Sequence, residues 1–109
     1  MYVFVRQDLP PPQQAVQAMH AAMEATRQGL TWEDHPHLVL CGVRNLTRLL
    51  ACSDHLTRCQ IPFTVWREPA RGNEITAIAT GLLHGDARRP LRKYQLLKLG
   101  ENHDHCCPV

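Results

Sequence analysis

Hydrophobic and polar positions along the chain form short, well-separated patterns. Residues 2–6 (YVFVR) are β-branched and aromatic, the composition of a buried strand. Pro10, Pro11 and Pro12 follow. They fix φ near the helical value and donate no backbone hydrogen bond, so they suit a turn and the first helical position but not a helix interior. The spacing then predicts a helix over 11–28, stopped at Gly29, with an apolar stripe of Ala15, Ala18, Met19, Ala22 and Met23. A polar loop over 29–36 leads to the continuous apolar run 37–43 (HLVLCGV), which reads as a strand covered on both faces. Asn45 is a suitable N-cap for a helix over 46–58, whose core stripe is Leu46, Leu49, Leu50 and Leu56. Residues 61–66 (IPFTVW) and 75–80 (ITAIAT) read as the third and fourth strands, separated by a charged turn containing Pro69 and Gly72.

Strand–helix–strand–helix–strand in this order argues for an α/β fold with parallel pairing and right-handed crossovers. Residues 1–100 are expected to form one domain, since 109 residues suffice for a single core without metal or disulfide staples. In the last quarter Pro90 interrupts any long helix, and LRKYQLLKL is either a short helix or an edge segment. Residues 101–109 are polar and expected to be a disordered tail.

Composition narrows the class further. An apolar fraction of 44% and a charged fraction of 20% are ordinary for a globular protein. No run approaches the roughly 18 apolar residues of a membrane span. The first residues carry neither the basic start nor the long apolar run of a secretory leader, so a cytoplasmic location is the expectation. The cysteine count is odd, at five, and no CxxC occurs; Cys41, Cys52 and Cys59 are read as buried free thiols. The net charge of +2 decides little, but residues 84–98 set Arg88, Arg89, Arg92, Lys93 and Lys98 against Asp86, a local net of +4. Such a segment is either a phosphate-contacting patch or a solvated basic surface.

Three groups carry candidate chemistry. Gln13, Gln17, His20, Glu24 and Arg27 recur at helical spacing and form a polar row on the first helix, facing either water or a groove. Gln13 and Gln17 lie in its first turns, where free N–H groups favour anionic ligands. The turn before the fourth strand gathers Arg67, Glu68, Arg71, Asn73, Glu74 and Thr76, whose carboxylates and hydroxyl suit orienting a water or holding a ribose. His103, Asp104, His105, Cys106 and Cys107 are metal-ligand types, but their near-contiguity is poor for a structural zinc site, and no metal is assigned. No Ser–His–Asp arrangement and no phosphate-binding glycine signature is present.

The strand ending in RQDL, the helix segment AVQAMHAA and the later EPARGNEITAIAT occur in an order and spacing that resemble the class 2 peptidyl-tRNA hydrolases and their smaller bacterial relatives. The likeness spans roughly residues 2–98, with Ala15, Val16, Gln17, His20 and Ala21 on the family's helix pattern. It implies a four-stranded mixed, largely parallel sheet with helices on both faces. It also implies hydrolysis of the ester between a peptide and the ribose of tRNA, without metal or organic cofactor. Gln13 stands where the family has a functional lysine, and Ala70, flanked by Glu68 and Glu74, where it has an aspartate; the family threonine corresponds to Thr76. No nearby residue replaces that lysine outright, Arg6 or Arg71 being the cations in reach of the groove. On this reading Gln13, Glu68, Glu74 and Thr76 carry the chemistry. Gln17, His20 and Arg71 bind the substrate, and Arg88, Arg89, Arg92 and Lys93 contact tRNA phosphates. His20 is more a support of the helix than a base. The alternative is a catalytically inactive member of the fold that binds RNA or a protein. A homodimer is left open.

Overall fold

The computed structural model describes residues 1–31 and 37–98. Its order is β1 (Tyr2–Arg6), α1 (Pro11–Arg27), β2 (Val39–Val43), α2 (Leu46–Arg58), β3 (Phe63–Glu68) and β4 (Glu74–Thr80), with 3-10 turns at Pro69–Arg71 and Gly85–Leu91. The strands form one sheet in the order β2-β1-β4-β3.

The α/β class and the mixed sheet stand, but parallel pairing is confined to one pair. β1 and β2 are parallel, whereas β4 is antiparallel to both β1 and β3. All of β1, β2 and β3 therefore run in the same sense, as the two helical crossovers imply. The sheet is not largely parallel because β4 inserts between β1 and β3. The physical reason is the short connection from Glu68 to Glu74, which permits only an antiparallel neighbour. Gly72 and Asn73, at φ 66 and 64, supply the left-handed residues that this reversal needs. An outer edge is added by the C-terminal segment: Gly42 N–H donates to Gln95 O, and Leu97 N–H donates to Leu40 O. Within the LRKYQLLKL stretch, residues 95–97 thus form an edge segment rather than a helix.

Each face of the sheet is covered. On one side Tyr2, Phe4, Cys41, Val43 and Ile78 pack with Leu49, Cys52 and Leu56 of α2. On the other Val3, Val5, Ala77 and Ala79 pack with Ala18, Ala21 and Ala25 of α1. This explains why all five residues of β1 are buried. Asn45 caps α2 as expected, accepting from Arg48 N–H at 3.0 Å.

The buried face of α1 differs from the expected stripe. It comprises Gln14, Gln17, Ala18, Ala21 and Ala25, while Met19 and Met23 are 58% and 69% exposed. The face is rotated by roughly 100°, one residue of helical turn. Small side chains decide it: Ala21 and Ala25 let the helix lie close to Ala77 and Ala79, which methionines would prevent. In α2, Cys52 replaces Leu50 in the buried stripe, Leu50 being exposed and Leu46 half-buried. Cys41 and Cys52 are buried free thiols, and Cys59 is free but half-buried. No helix among the described residues is long and apolar enough to cross a membrane. The tail expected to be disordered, its HDHCC cluster and most of the polar loop lie outside the described residues.

Candidate functional site

The start of α1 and the β3–β4 connection lie together, joined by a chain of hydrogen bonds. Thr76 Oγ1 donates to Gln17 Oε1 at 2.6 Å, and Gln17 Nε2 donates to Glu68 Oε1 at 2.9 Å. Thr76 reaches α1 through a β-bulge. Trp66 pairs with Ala77 and Arg67 with Ile75, leaving Thr76 as the extra residue of β4. A bulge re-aims the side chain at that position, here onto the helix face.

Glu68 is held from three directions. Besides Gln17, Trp66 Nε1 donates to Oε1 at 3.4 Å and Ala70 N–H donates to Oε2 at 3.1 Å. These donors, Gln17 foremost, hold its carboxyl below the usual glutamate range, so it is a fixed anion. Its side chain remains half-exposed. His20 stacks on Trp66 with ring centroids 4.5 Å apart and planes 14° from parallel, which fits a supporting role for this residue.

Gln13 sits exposed at the rim, its Oε1 accepting from Gln17 Nε2 at 3.4 Å. Its environment follows from the three prolines. An α-helix leaves its first four N–H groups without intrahelical acceptors. Here Pro10 is the N-cap and Pro11 and Pro12 open the helix, so three of those positions have no N–H. Gln13 N–H is the remaining free donor, since Gln14 N–H already bonds Pro10 O. No side chain caps α1. Buried Gln14 instead ties its first turn to the preceding loop, donating to Leu9 O at 2.6 Å and Gln7 O at 3.2 Å.

A second cluster adjoins the first through the backbone of residues 74–76. Buried Arg6 grips Asp8 with Nε and Nη2 at 2.9 and 2.8 Å, and Glu74 with Nη1 at 2.7 Å. The same Nη1 donates to Ile75 O at 3.2 Å. Arg71 Nε lies 3.6 Å from Glu74. Arg6 holds both carboxyls below their ordinary values, chiefly through these hydrogen bonds. Glu74 is therefore a paired structural anion beside the site, and Arg6 is its buried cation.

The remaining predicted residues are dispersed. Arg88 lies over the Tyr2 ring at 5.9 Å, at the opposite end of β1, roughly 13 Å along the strand from Arg6. Arg89 pairs with Asp86, Arg92 is exposed, and Lys93 lies over Tyr94. The basic segment does not converge on the site. Sequence reasoning missed Asp8, Gln14 and Trp66 as parts of it. The Arg6–Gln7–Asp8 spacing was the available signal for Asp8, since a charged residue ending a buried strand needs a nearby partner.

Among the described residues no group of three or more His, Cys, Asp or Glu side chains is placed to hold a metal ion. No family model matches the chain, and no curated protein matches its sequence.

Proposed function

We propose that the chain hydrolyses the ester joining a peptide to the terminal ribose of tRNA, at the cluster around Glu68. The observation that carries this reading is the buried Thr76–Gln17–Glu68 chain, which fixes one half-exposed carboxylate near the Gln13 N–H, the free donor that opens α1. This hydrogen-bonded chain joins the two segments, AVQAMHAA and EPARGNEITAIAT, on which the resemblance to the peptidyl-tRNA hydrolases rests. Glu68 Oε2 accepts one protein hydrogen bond and keeps a free acceptor position for water. Its lowered pKa keeps it charged but makes it a weak base, so its role is to aim the water and stabilise the charge that develops on it. Gln13 offers a backbone and a side-chain N–H to the ester carbonyl, whose oxygen becomes anionic as water adds. The carbon–oxygen bond to the ribose then breaks, and the ribose oxygen takes up the proton that the attacking water gives up.

The test is turnover of N-acetylated aminoacyl-tRNA. Glu68→Gln is expected to lower kcat by about 10²–10³-fold, and Gln13→Ala by about 10²-fold. Absence of hydrolysis above background by the wild-type chain at high concentration overturns the reading. A second reading, a scaffold that binds without catalysis, is favoured by one observation: Glu74 is taken up by Arg6 and Arg71. A Gln13→Lys, Ala70→Asp variant that gains turnover over an inert wild type supports that alternative.

A further inference from the structure

Arg44, Arg48, Arg58 and Lys93 line a cleft of about 540 Å³ on the α2 side of the molecule, with Gln7 and Gln95 at its strand end. All four cations are exposed. No ion pair among the described residues engages any of them. Cations gathered in one concave surface raise the local positive potential and favour a polyanion there. Arg48 and Arg58 share one side of α2, ten residues and roughly 15 Å apart, about the length of four stacked nucleotides. Three of the four are arginines, whose planar forks suit phosphate oxygens.

Although α1 and α2 cover opposite faces of the sheet, the strand end of the cleft, at Gln7, adjoins the loop that enters α1. Gln7 directly follows Arg6, and its side chain lies across Gly42, where an added Cβ would meet Gln7 Cδ at 2.5 Å. Its carbonyl oxygen accepts from Gln14, the neighbour of Gln13. We propose that this cleft binds the phosphate backbone of an RNA strand and delivers its end to the start of α1. Arg44, Arg48, Arg58 and Lys93 would be the phosphate contacts, in place of the Arg88–Arg92 segment. The choice of RNA over an acidic peptide rests on the tRNA-ester reading above.

Fluorescence anisotropy with a labelled single-stranded RNA 12-mer tests this without any ester. Four contacts give a slope of log K against log salt near −2.8, and Arg48→Gln with Arg58→Gln should bring it to about −1.4 with at least roughly tenfold weaker binding at low salt. Arg88→Gln with Arg89→Gln should leave both nearly unchanged. Groove variants that bind as wild type overturn the proposal, as does stronger binding of poly-glutamate than of RNA. Hydrolysis retained alongside unchanged groove variants spares the ester site and rejects the cleft. Salt-dependent RNA binding that the groove variants lose, in a chain that hydrolyses nothing, supports the cleft and rejects the ester site.

Discussion

Replacing Thr76 with valine removes one hydroxyl and little else, because the two side chains have nearly the same shape. Thr76 and Gln17 are 0% and 1% exposed, so water cannot replace what is lost. In Thr76→Val, Gln17 Oε1 stays buried without its donor, since the amide nitrogen is committed to Glu68. A stranded buried acceptor costs about 1–3 kcal/mol. Gln17→Leu strands the hydroxyl in turn and releases Glu68, at a similar cost. The double variant strands neither partner, so its cost should fall short of the sum by at least about 1 kcal/mol, within the range for contacting residues. Equilibrium urea unfolding of the four proteins reads this. With a slope of about 1–3 kcal/mol/M, each kcal/mol moves the midpoint by roughly 0.3–1 M. Single costs that add to within about 0.4 kcal/mol refute the reasoning, as does a Thr76→Val chain as stable as wild type.

Two further outcomes follow from the charges and thiols. Asp8, Glu68 and Glu74 all have lowered folded pKa values, so their contribution to stability is complete above the unfolded carboxylate pKa of about 4 and is lost as pH falls through the folded values. Thermal unfolding should therefore be insensitive to carboxylate titration from pH 7 to about 5 and fall steeply below, with a shallower fall in Asp8→Asn, Glu74→Gln; an identical pH profile in that variant contradicts the assignment. Burial pushes the Cys41 and Cys52 thiols up to about 11, whereas Cys59 is half-buried. Native-state alkylation at pH 8 with peptide mapping should label Cys59 before either, and early modification of Cys41 would overturn the packing of β2.

Much of the fold could be read from local signals. Asn45 and the apolar run after it set α2 at Leu46–Arg58, and the composition of residues 2–6 set β1. Two features were hidden for physical reasons. Met19 and Met23 carry the stronger hydrophobic signal on α1, but helix position is decided by how closely Ala21 and Ala25 approach the sheet, a property of both surfaces. The burial of Gln14 went unread, and Gln17 was left between water and a groove, because burial of an amide is acceptable only when specific partners are present, and those partners, Leu9 O, Glu68 and Thr76, are distant in the chain or in its turns. At the site, residue types near the turn were legible, but not their division of labour. Glu68 and Glu74 are alike in sequence, and only their partners distinguish them, Gln17, Trp66 and Ala70 for the first and Arg6 and Arg71 for the second. The cleft cations Arg44, Arg48 and Arg58 escaped notice because Arg48 and Arg58 are spaced along α2 and Arg44 stands alone before its cap, whereas Arg88–Lys93 form a conspicuous run.

The extra residue in β4 has a consequence for how the chain tolerates length changes. Beyond it, alternate positions of the strand exchange sides, so Ile75 and Ile78 can both face α2 although three places separate them. Deleting one residue at 76 would regularise the ladder, yet it would remove the hydroxyl that donates to Gln17. Lengthening the hairpin loop between Pro69 and Asn73 leaves that parity intact. Insertions in this region should therefore divide sharply into tolerated ones before Glu74 and disabling ones after it, provided that Gly72 and Asn73 are kept.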